Sequence, residues 1–308
     1  VIFEQLAHNL SKEPKFHRFR FKDNNPLGGQ KKQRWIYAPN DAMTLIHKRL
    51  MRQILRARIT MPYSTCGMRG DQPWKNVYRH RKNRFGYQTD LTNAYGNVSP
   101  EILAVILCQA VPKFKDYEHE MFDFLEQFFF IPDVGLSTGG NASVLLFNIY
   151  GHYQLDLRLA ELAQRYNYTY SRYLDDMLLT RPALRPERHE RAEVRQIIKA
   201  AGFKANDAKT IVYDLKKGSV RINGFRLEYG GRIFAPRAYL RMLRGAIHRA
   251  QTKGDIPPST IHGKWGAFWP SLQGRRWNRT EEKLVDQYRA YQKWLIKHPY
   301  QEQLDLTF

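Results

Sequence analysis

Two adjacent carboxylates, Asp175 and Asp176, constrain this chain more than any other feature. Tyr168-Thr169-Tyr170 precedes them and Met177-Leu178-Leu179 follows. With Tyr173-Leu174-Asp175-Asp176 between such runs, the pattern predicts strand, tight turn, strand. Both carboxylates then sit at a hairpin bend. Neighbouring carboxylates repel and resist leaving water, so they add nothing to a core. A bound divalent cation removes that penalty. Asp is also a common turn residue, and a bare Asp-Asp pair reads equally as an ordinary surface turn. The residues elsewhere in the chain decide between the two.

Mg²⁺ takes hard oxygen ligands, a few of them carboxylates. A two-metal phosphoryl-transfer site therefore calls for a further carboxylate from a distant part of the chain. Asp90 is the candidate, in Phe85-Gly86-Tyr87-Gln88-Thr89-Asp90-Leu91. The alternation there predicts a short strand ending near Asp90. Ser99 as N-cap, Pro100 at the first helical position and Glu101 in the first turn predict a helix over 100–111. An Asp at a strand end is also an ordinary cap or turn residue, and that alternative stays open for Asp90 alone.

The chain has 308 residues, 43% of them apolar, enough for a core and several packed subdomains. Its 50 Lys and Arg against 29 Asp and Glu give a net charge of +21, which favours a polyanionic partner. The charge is spread along the chain, so a basic tail does not account for it. A basic protein without such a partner is the plainer alternative. The two cysteines, Cys66 and Cys108, have no metal-like spacing and point to a reducing compartment. No apolar run is long enough for a membrane helix and no signal-peptide pattern opens the chain, so no membrane partner is expected.

A helix is predicted over 42–58, with Ile46, Leu50 and Ile54 facing inward. The dense aromatics of 113–134 read as core, and a helix should end near Gly202. Pro236 opens a helix that places Arg237, Arg241, Arg244 and His248 on one face, beside Leu240, Leu243 and Ile247. Trp265 and Trp269, among basic residues, suit either base stacking or core packing. A last helix over 281–297 takes Thr280 as its N-cap. No second acidic constellation suggests a ribonuclease H domain.

These motifs together resemble reverse transcriptases. Phe85 to Ser99, Val134 to Arg158 and Tyr170 to Thr180 look like the family's motifs A, B and C. Lys31 to Pro39 and Cys66 to Gly70 are similar to its fingers motifs. Gly202 to Asn206, with Lys209 and Thr210, looks like motif D, and Val220 to Phe225 falls where the primer grip would be. The resemblance implies an α+β right-hand polymerase with an antiparallel-sheet palm. Fingers would span 1–85, palm 86–112 and 135–232 with a fingers/palm connection over 113–134, and a small helical thumb 233–308. It implies Asp90, Asp175 and Asp176 as catalytic carboxylates that hold two Mg²⁺ ions, with Mn²⁺ as a substitute, and the Leu91 carbonyl as a further ligand. Lys32, Arg34, Thr138, Gly139 and Lys209 would bind the incoming nucleotide, and Tyr95 would be the steric gate against a ribose 2′-hydroxyl (alone, Tyr95 reads as a core aromatic). Tyr173, Arg69, Gly224, Arg237, Arg241 and Arg244 would contact primer and template.

The sequence departs from the family in places. Ser137-Thr138-Gly139 stands where many relatives have Pro-Gln-Gly. Asn76-Val77-Tyr78-Arg79-His80 and Ile222-Asn223-Gly224 stand where retron enzymes usually have Asn-Ala-x-x-His and Val-Thr-Gly, and the second residue of the Tyr-x-Asp-Asp box is Leu174, not Ala. We read a relative of retron and defence-associated bacterial enzymes, cytoplasmic, that copies a dedicated structured non-coding RNA into DNA from deoxynucleoside triphosphates. Its partners would be that RNA, the RNA–DNA hybrid product and an accessory defence protein, and an oligomer is compatible. Template-independent or protein-primed DNA synthesis, a typical retron activity giving branched RNA-linked DNA, and a non-catalytic RNA scaffold are the alternatives.

Overall fold

The computed structural model describes residues 2–22, 33–68, 70–273 and 275–299. They form two compact units. The first takes the described residues up to Asp71 together with Lys82–Lys217; the second takes Gln72–Arg81 and the chain from Gly218.

The first unit is built on a four-stranded antiparallel sheet in the order β6-β7-β3-β8. Its strands are β3 (Phe85–Asp90), β6 (Thr169–Tyr173), β7 (Asp176–Arg181) and β8 (Ile211–Asp214). The predicted strand and hairpin are both present. Strand β3 pairs with β7 on one side and β8 on the other, in a register that sets Tyr87 opposite Leu179 and Asp90 opposite Asp176. Around the sheet lie α1 (Ile2–Ala7), α2 (Asp41–Arg56), α4 (Pro100–Ala110), α5 (Glu118–Phe129), α6 (Ser143–Gly151), α7 (Leu157–Arg165) and α8 (Arg188–Ala200). Two short hairpins complete the unit: β1 (Phe16–Lys22) with β2 (Gln33–Pro39), and β4 (Phe130–Ile131) with β5 (Gly135–Leu136). The core runs through Ile46, Leu50, Leu103, Leu107, Leu146, Phe147 and Met177, all fully buried. The aromatics of 113–134 join it, with Phe114 and Phe129 fully buried.

Local caps follow the sequence closely. Ser99 Oγ accepts from the Ile102 N–H at 3.1 Å and starts α4. Asn40 Oδ1 accepts from the Met43 N–H at 2.9 Å and starts α2 one residue before the predicted position. From sequence one continuous helix is expected over about 141–165, after the motif B glycines, and here the structure differs more. The helix starts at Ser143 and is interrupted by a π-helical turn over His152–Asp156 before continuing as α7. Such a turn adds one residue to the helical repeat, and here it delivers Asp156 to a buried partner described below.

The second unit joins α3 (Pro73–His80) to a three-stranded antiparallel sheet of β9 (Val220–Ile222), β10 (Phe225–Glu228) and β11 (Arg232–Phe234), followed by α9 (Arg237–Lys253), α10 (Pro258–Phe268) and α11 (Arg279–Lys297). The unit boundary falls at Lys217/Gly218, where β9–β11 begin a sheet of their own. As expected, α9 starts after Pro236 and buries Leu240, Leu243 and Ile247. Trp265 stacks on Tyr288 at 3.9 Å and packs against the helical core, whereas Trp269 is partly exposed. The N-cap of α11 is Asn278, not Thr280. Asn278 Oδ1 accepts from the N–H groups of Thr280 and Glu281, and Glu281 accepts from the Asn278 N–H at 2.9 Å. That reciprocal pair is a capping box, which satisfies more orphan donors than a single Thr.

His47 gives the first unit a pH dependence. It lies fully buried on α2, stacks on Phe129 at 4.3 Å, and donates from Nε2 to the Phe128 carbonyl at 2.8 Å. Its Nδ1 meets no partner among the described residues. Burial depresses its pKa from 6.5 to about 4, against the raising effect of the Phe128 bond. The unfolded chain therefore binds more protons between those values, so stability is complete above pH 6.5 and falls as pH drops towards 4. The loss attributable to His47 is about 3 kcal/mol. Urea unfolding at pH 7, 5.5 and 4.5 should show a falling midpoint, with a shallower fall in His47→Gln.

Candidate active site

The register of β3 and β7 builds the site. Asp90 ends β3 and Asp176 begins β7, so the two carboxylates face each other across an antiparallel pair. The turn residue Asp175 is tied to the same place, because its carbonyl accepts from the Leu91 N–H at 3.1 Å. The segment after α8 closes in from the other side. The Asn206 N–H donates to the Asp90 carbonyl at 2.7 Å, and Lys209 Nζ lies 2.6 Å from Asp90 Oδ2. Asn206 Nδ2 reaches the same oxygen at 3.3 Å. Leu91 is buried and forms a β-bridge with Ala205.

Burial pushes the Asp175 carboxyl above its ordinary range, and the nearby charge of Asp90 adds to the effect. Asp176 is raised for the same reasons, by burial first and then by Asp175 and Asp90. Lys209 opposes both shifts. Three carboxylates and one partly exposed lysine therefore leave an excess of negative charge at this edge of the sheet. Among the described residues no group of three or more His, Cys, Asp or Glu side chains is placed to hold a metal ion. Carboxylate oxygens are nevertheless the donors that a hard divalent cation prefers, and its charge would relieve the repulsion that raises these groups.

Other predicted residues gather nearby. Tyr95 stacks on Phe147 at 4.8 Å and is half-buried, and its hydroxyl pKa is raised by burial and by the charge of Asp175. It is thus a packed aromatic and a neighbour of the carboxylates at once. Tyr173 hydrogen-bonds Cys66 through its hydroxyl, and its pKa too is raised, mainly by burial. The motif B loop lies on β2. Thr138 Oγ1 donates to the Trp35 carbonyl at 3.3 Å, and a Cβ on Gly139 would come within 2.5 Å of the Tyr37 carbonyl. Glycine is what that approach permits. Lys32 and Arg69 lie outside the described residues, as does the side chain of Arg34.

Gly224 sits in the second unit, in the turn between β9 and β10. In the same unit, Arg237, Arg241 and Arg244 line a cavity of about 1150 Å³ that Arg221, Arg226 and Arg279 also border. Two elements that depart from the usual retron sequences meet here: Asn76 Nδ2 donates to Asn223 Oδ1 at 2.6 Å.

Sequence reasoning missed Arg172, Asp156 and Asn148. Arg172 is fully buried beneath the carboxylate turn and forms a two-pronged ion pair with Asp156, both contacts at 2.8 Å. The signal was present: an arginine inside a short strand needs a buried partner. The partner's position in a helix with a π turn was not readable.

A sheet that brings acidic residues from two strands and a hairpin turn to one edge is the palm of a right-hand nucleic-acid polymerase. Residues 22–227, about two thirds of the chain, match the family described as reverse transcriptase (RNA-dependent DNA polymerase), and the chain belongs to that family. It is 30% identical over 109 residues to the retron Mx65 reverse transcriptase of Myxococcus xanthus, covering 35% of this chain and 25% of that protein. It is 33% identical over 110 residues to the retron Mx162 reverse transcriptase of the same organism, covering 31% of this chain and 22% of that one. The match thus spans about a quarter of these relatives' length. The fold resembles telomerase from Candida albicans, solved with a fragment of telomeric RNA. The TM-score is 0.51 at 11% identity over 95% of this chain and 56% of that one.

Removing one charge from the cluster should stabilise the apo protein. Asp176→Asn is expected to raise stability at pH 7 by ~1–2 kcal/mol, since a carboxylate with a raised pKa is destabilising when ionised. Mg²⁺ at millimolar concentration should raise the melting temperature of the wild type and have little effect on Asp176→Asn. Thermal melts with and without EDTA check both.

Proposed function

We propose that this protein is an RNA-directed DNA polymerase. It would use Asp90, Asp175 and Asp176 for nucleotidyl transfer and copy a dedicated non-coding RNA in bacterial anti-phage defence. The observation that carries the reading is the pairing of Asp90 with Asp176 across β3 and β7, with Asp175 in the adjoining turn. When bound, a pair of divalent cations would activate the attacking 3′-oxygen and neutralise charge on the departing pyrophosphate. The three carboxylates and the Leu91 carbonyl would hold them. Lys209, beside Asp90, places a positive charge where phosphate oxygens would lie. Tyr95 would exclude a 2′-hydroxyl. Thr138 and Gly139, fastened to β2, would shape the nucleotide pocket with Arg34 and Lys32.

The arginine-lined cavity of the second unit supports binding of the template–primer backbone. Guanidinium groups neutralise phosphates and release counterions, which makes affinity steeply salt-dependent. The reading takes one structured RNA as template, with an accessory defence protein and an oligomeric assembly as further partners. Among the described residues no helix is long and apolar enough to cross a membrane.

Primer extension on an RNA template tests the activity. Asp90→Asn and Asp175→Asn should each lower the rate by at least about three orders of magnitude with the fold intact; near-wild-type extension by either would refute the assignment. In Arg241→Gln/Arg244→Gln, the slope of log affinity against log salt should shrink by about 1 for each phosphate that is no longer neutralised. Sequencing nucleic acid that co-purifies from the native host identifies the template. One RNA species with complementary DNA supports templated synthesis, and DNA without complementary RNA supports the untemplated or protein-primed alternative.

A further inference from the structure

We propose that Arg172, anchored by Asp156, is a positioning residue for the carboxylate turn: its guanidinium holds the Leu174 carbonyl and so fixes the backbone from which Asp175 and Asp176 project. This rests on the polymerase reading only for its catalytic consequence; the structural part stands apart from it.

Leu174 has φ of +54°, a left-handed conformation. For a leucine that conformation is strained and persists only where surroundings impose it. Arg172 Nη1 donates to the Leu174 carbonyl at 3.0 Å. A hydrogen bond from a charged donor is stronger than one between neutral groups and offsets the strain. On its other side the turn is tied through the Asp175 carbonyl to Leu91. The two bonds grip successive residues of the bend.

Arg172 itself has no freedom to swing. An arginine has five N–H donors in a fixed fork, and here each has an acceptor. Nε and Nη2 take the two oxygens of Asp156; Nη1 takes Asn148 Oδ1 at 3.2 Å and the Leu174 carbonyl; Nη2 also takes the Asn148 carbonyl at 3.2 Å. The Arg172 main chain is held as well. Its N–H donates to the Tyr63 carbonyl at 2.8 Å and its carbonyl accepts from the Thr65 N–H at 2.9 Å. Tyr170 donates to Asp156 Oδ1 at 2.7 Å. Gly151 leaves room for the fork, since a Cβ there would lie 2.6 Å from Arg172 Cζ.

A buried ion pair is a poor source of net stability compared with apolar residues of the same volume. In a unit this rich in buried Leu and Phe, the pair's distinguishing contribution is direction: it aims one donor at one carbonyl of the carboxylate turn.

The test replaces the pair together, with Asp156→Asn/Arg172→Gln, so that no lone charge is buried. Amide hydrogen exchange is measured at Leu174–Asp176 and, for reference, at Gln88 and Leu178 of the central strands. Turn exchange should rise at least about tenfold with the central strands still protected. In primer extension, kcat should fall about 100-fold with the dNTP KM little changed, the size expected of a small misplacement of reacting groups. Adding Leu174→Gly should restore much of the lost rate, because glycine adopts the left-handed conformation without strain. If the double variant does not fold, Arg172→Lys carries the same readouts: it keeps a charge for Asp156 but lacks the fork to reach Leu174 as well. Wild-type turn protection in a folded variant overturns the proposal, as does a kcat loss that only tracks the unfolded fraction. Should the wild type itself fail to extend any primer while turn exchange still rises in the variant, the polymerase reading fails and the positioning role stands.

Discussion

Like charges facing each other across an antiparallel pair are the constraint to which the first unit is built. Opposed carboxylates destabilise a sheet, and Asp90 and Asp176 are opposed at the end of one, with Asp175 beside them. The rest of the unit tolerates this because the repulsion is confined to one edge. Strand β3 is paired on both sides, and a large continuous apolar core lies against the sheet. Lys209 and Asn206 come from a separate segment to share the Asp90 oxygen. Stability held in the body of the fold permits a repulsive arrangement where hard cations and phosphates are to be bound.

The parts legible in the sequence were those whose spatial neighbours are also sequence neighbours. Asp175 and Asp176 announce their turn because the strands on either side are adjacent in the chain. Asp90 was legible because a strand pattern ends there and Ser99-Pro100-Glu101 marks the next helix. Pro236 and the Leu240, Leu243, Ile247 stripe placed α9 for the same reason. The N-cap of α11 was misassigned to Thr280, because the capping box of Asn278 and Glu281 starts the helix two residues earlier. The partner of Arg172 was not legible: nothing in a local pattern says which helix will supply it, and the π turn that delivers Asp156 changes the helical phase.

The second unit shows the same limit from another side. Asn76 and Asn223 stand far apart in the chain and were noticed separately, each in a stretch unlike its retron counterpart. In the fold they form one hydrogen bond, at the turn that carries Gly224. One hydrogen bond thus joins the Asn that this chain shares with the retron pattern to Asn223, which departs from it. The junction at Lys217/Gly218 has a similar origin, since only strand pairing reveals that β9 belongs with β10 and β11.

The π turn between α6 and α7 has a consequence for how this chain can vary. Loss of a single residue from His152–Asp156 would restore ordinary α-helical bonds and leave Leu159 and Leu162 facing the core, because the turn's extra residue is what such a loss removes. What would change is the local widening of the helix from which Asp156 meets Arg172. The added residue therefore serves the buried pair and not the packing of the helices on either side of it.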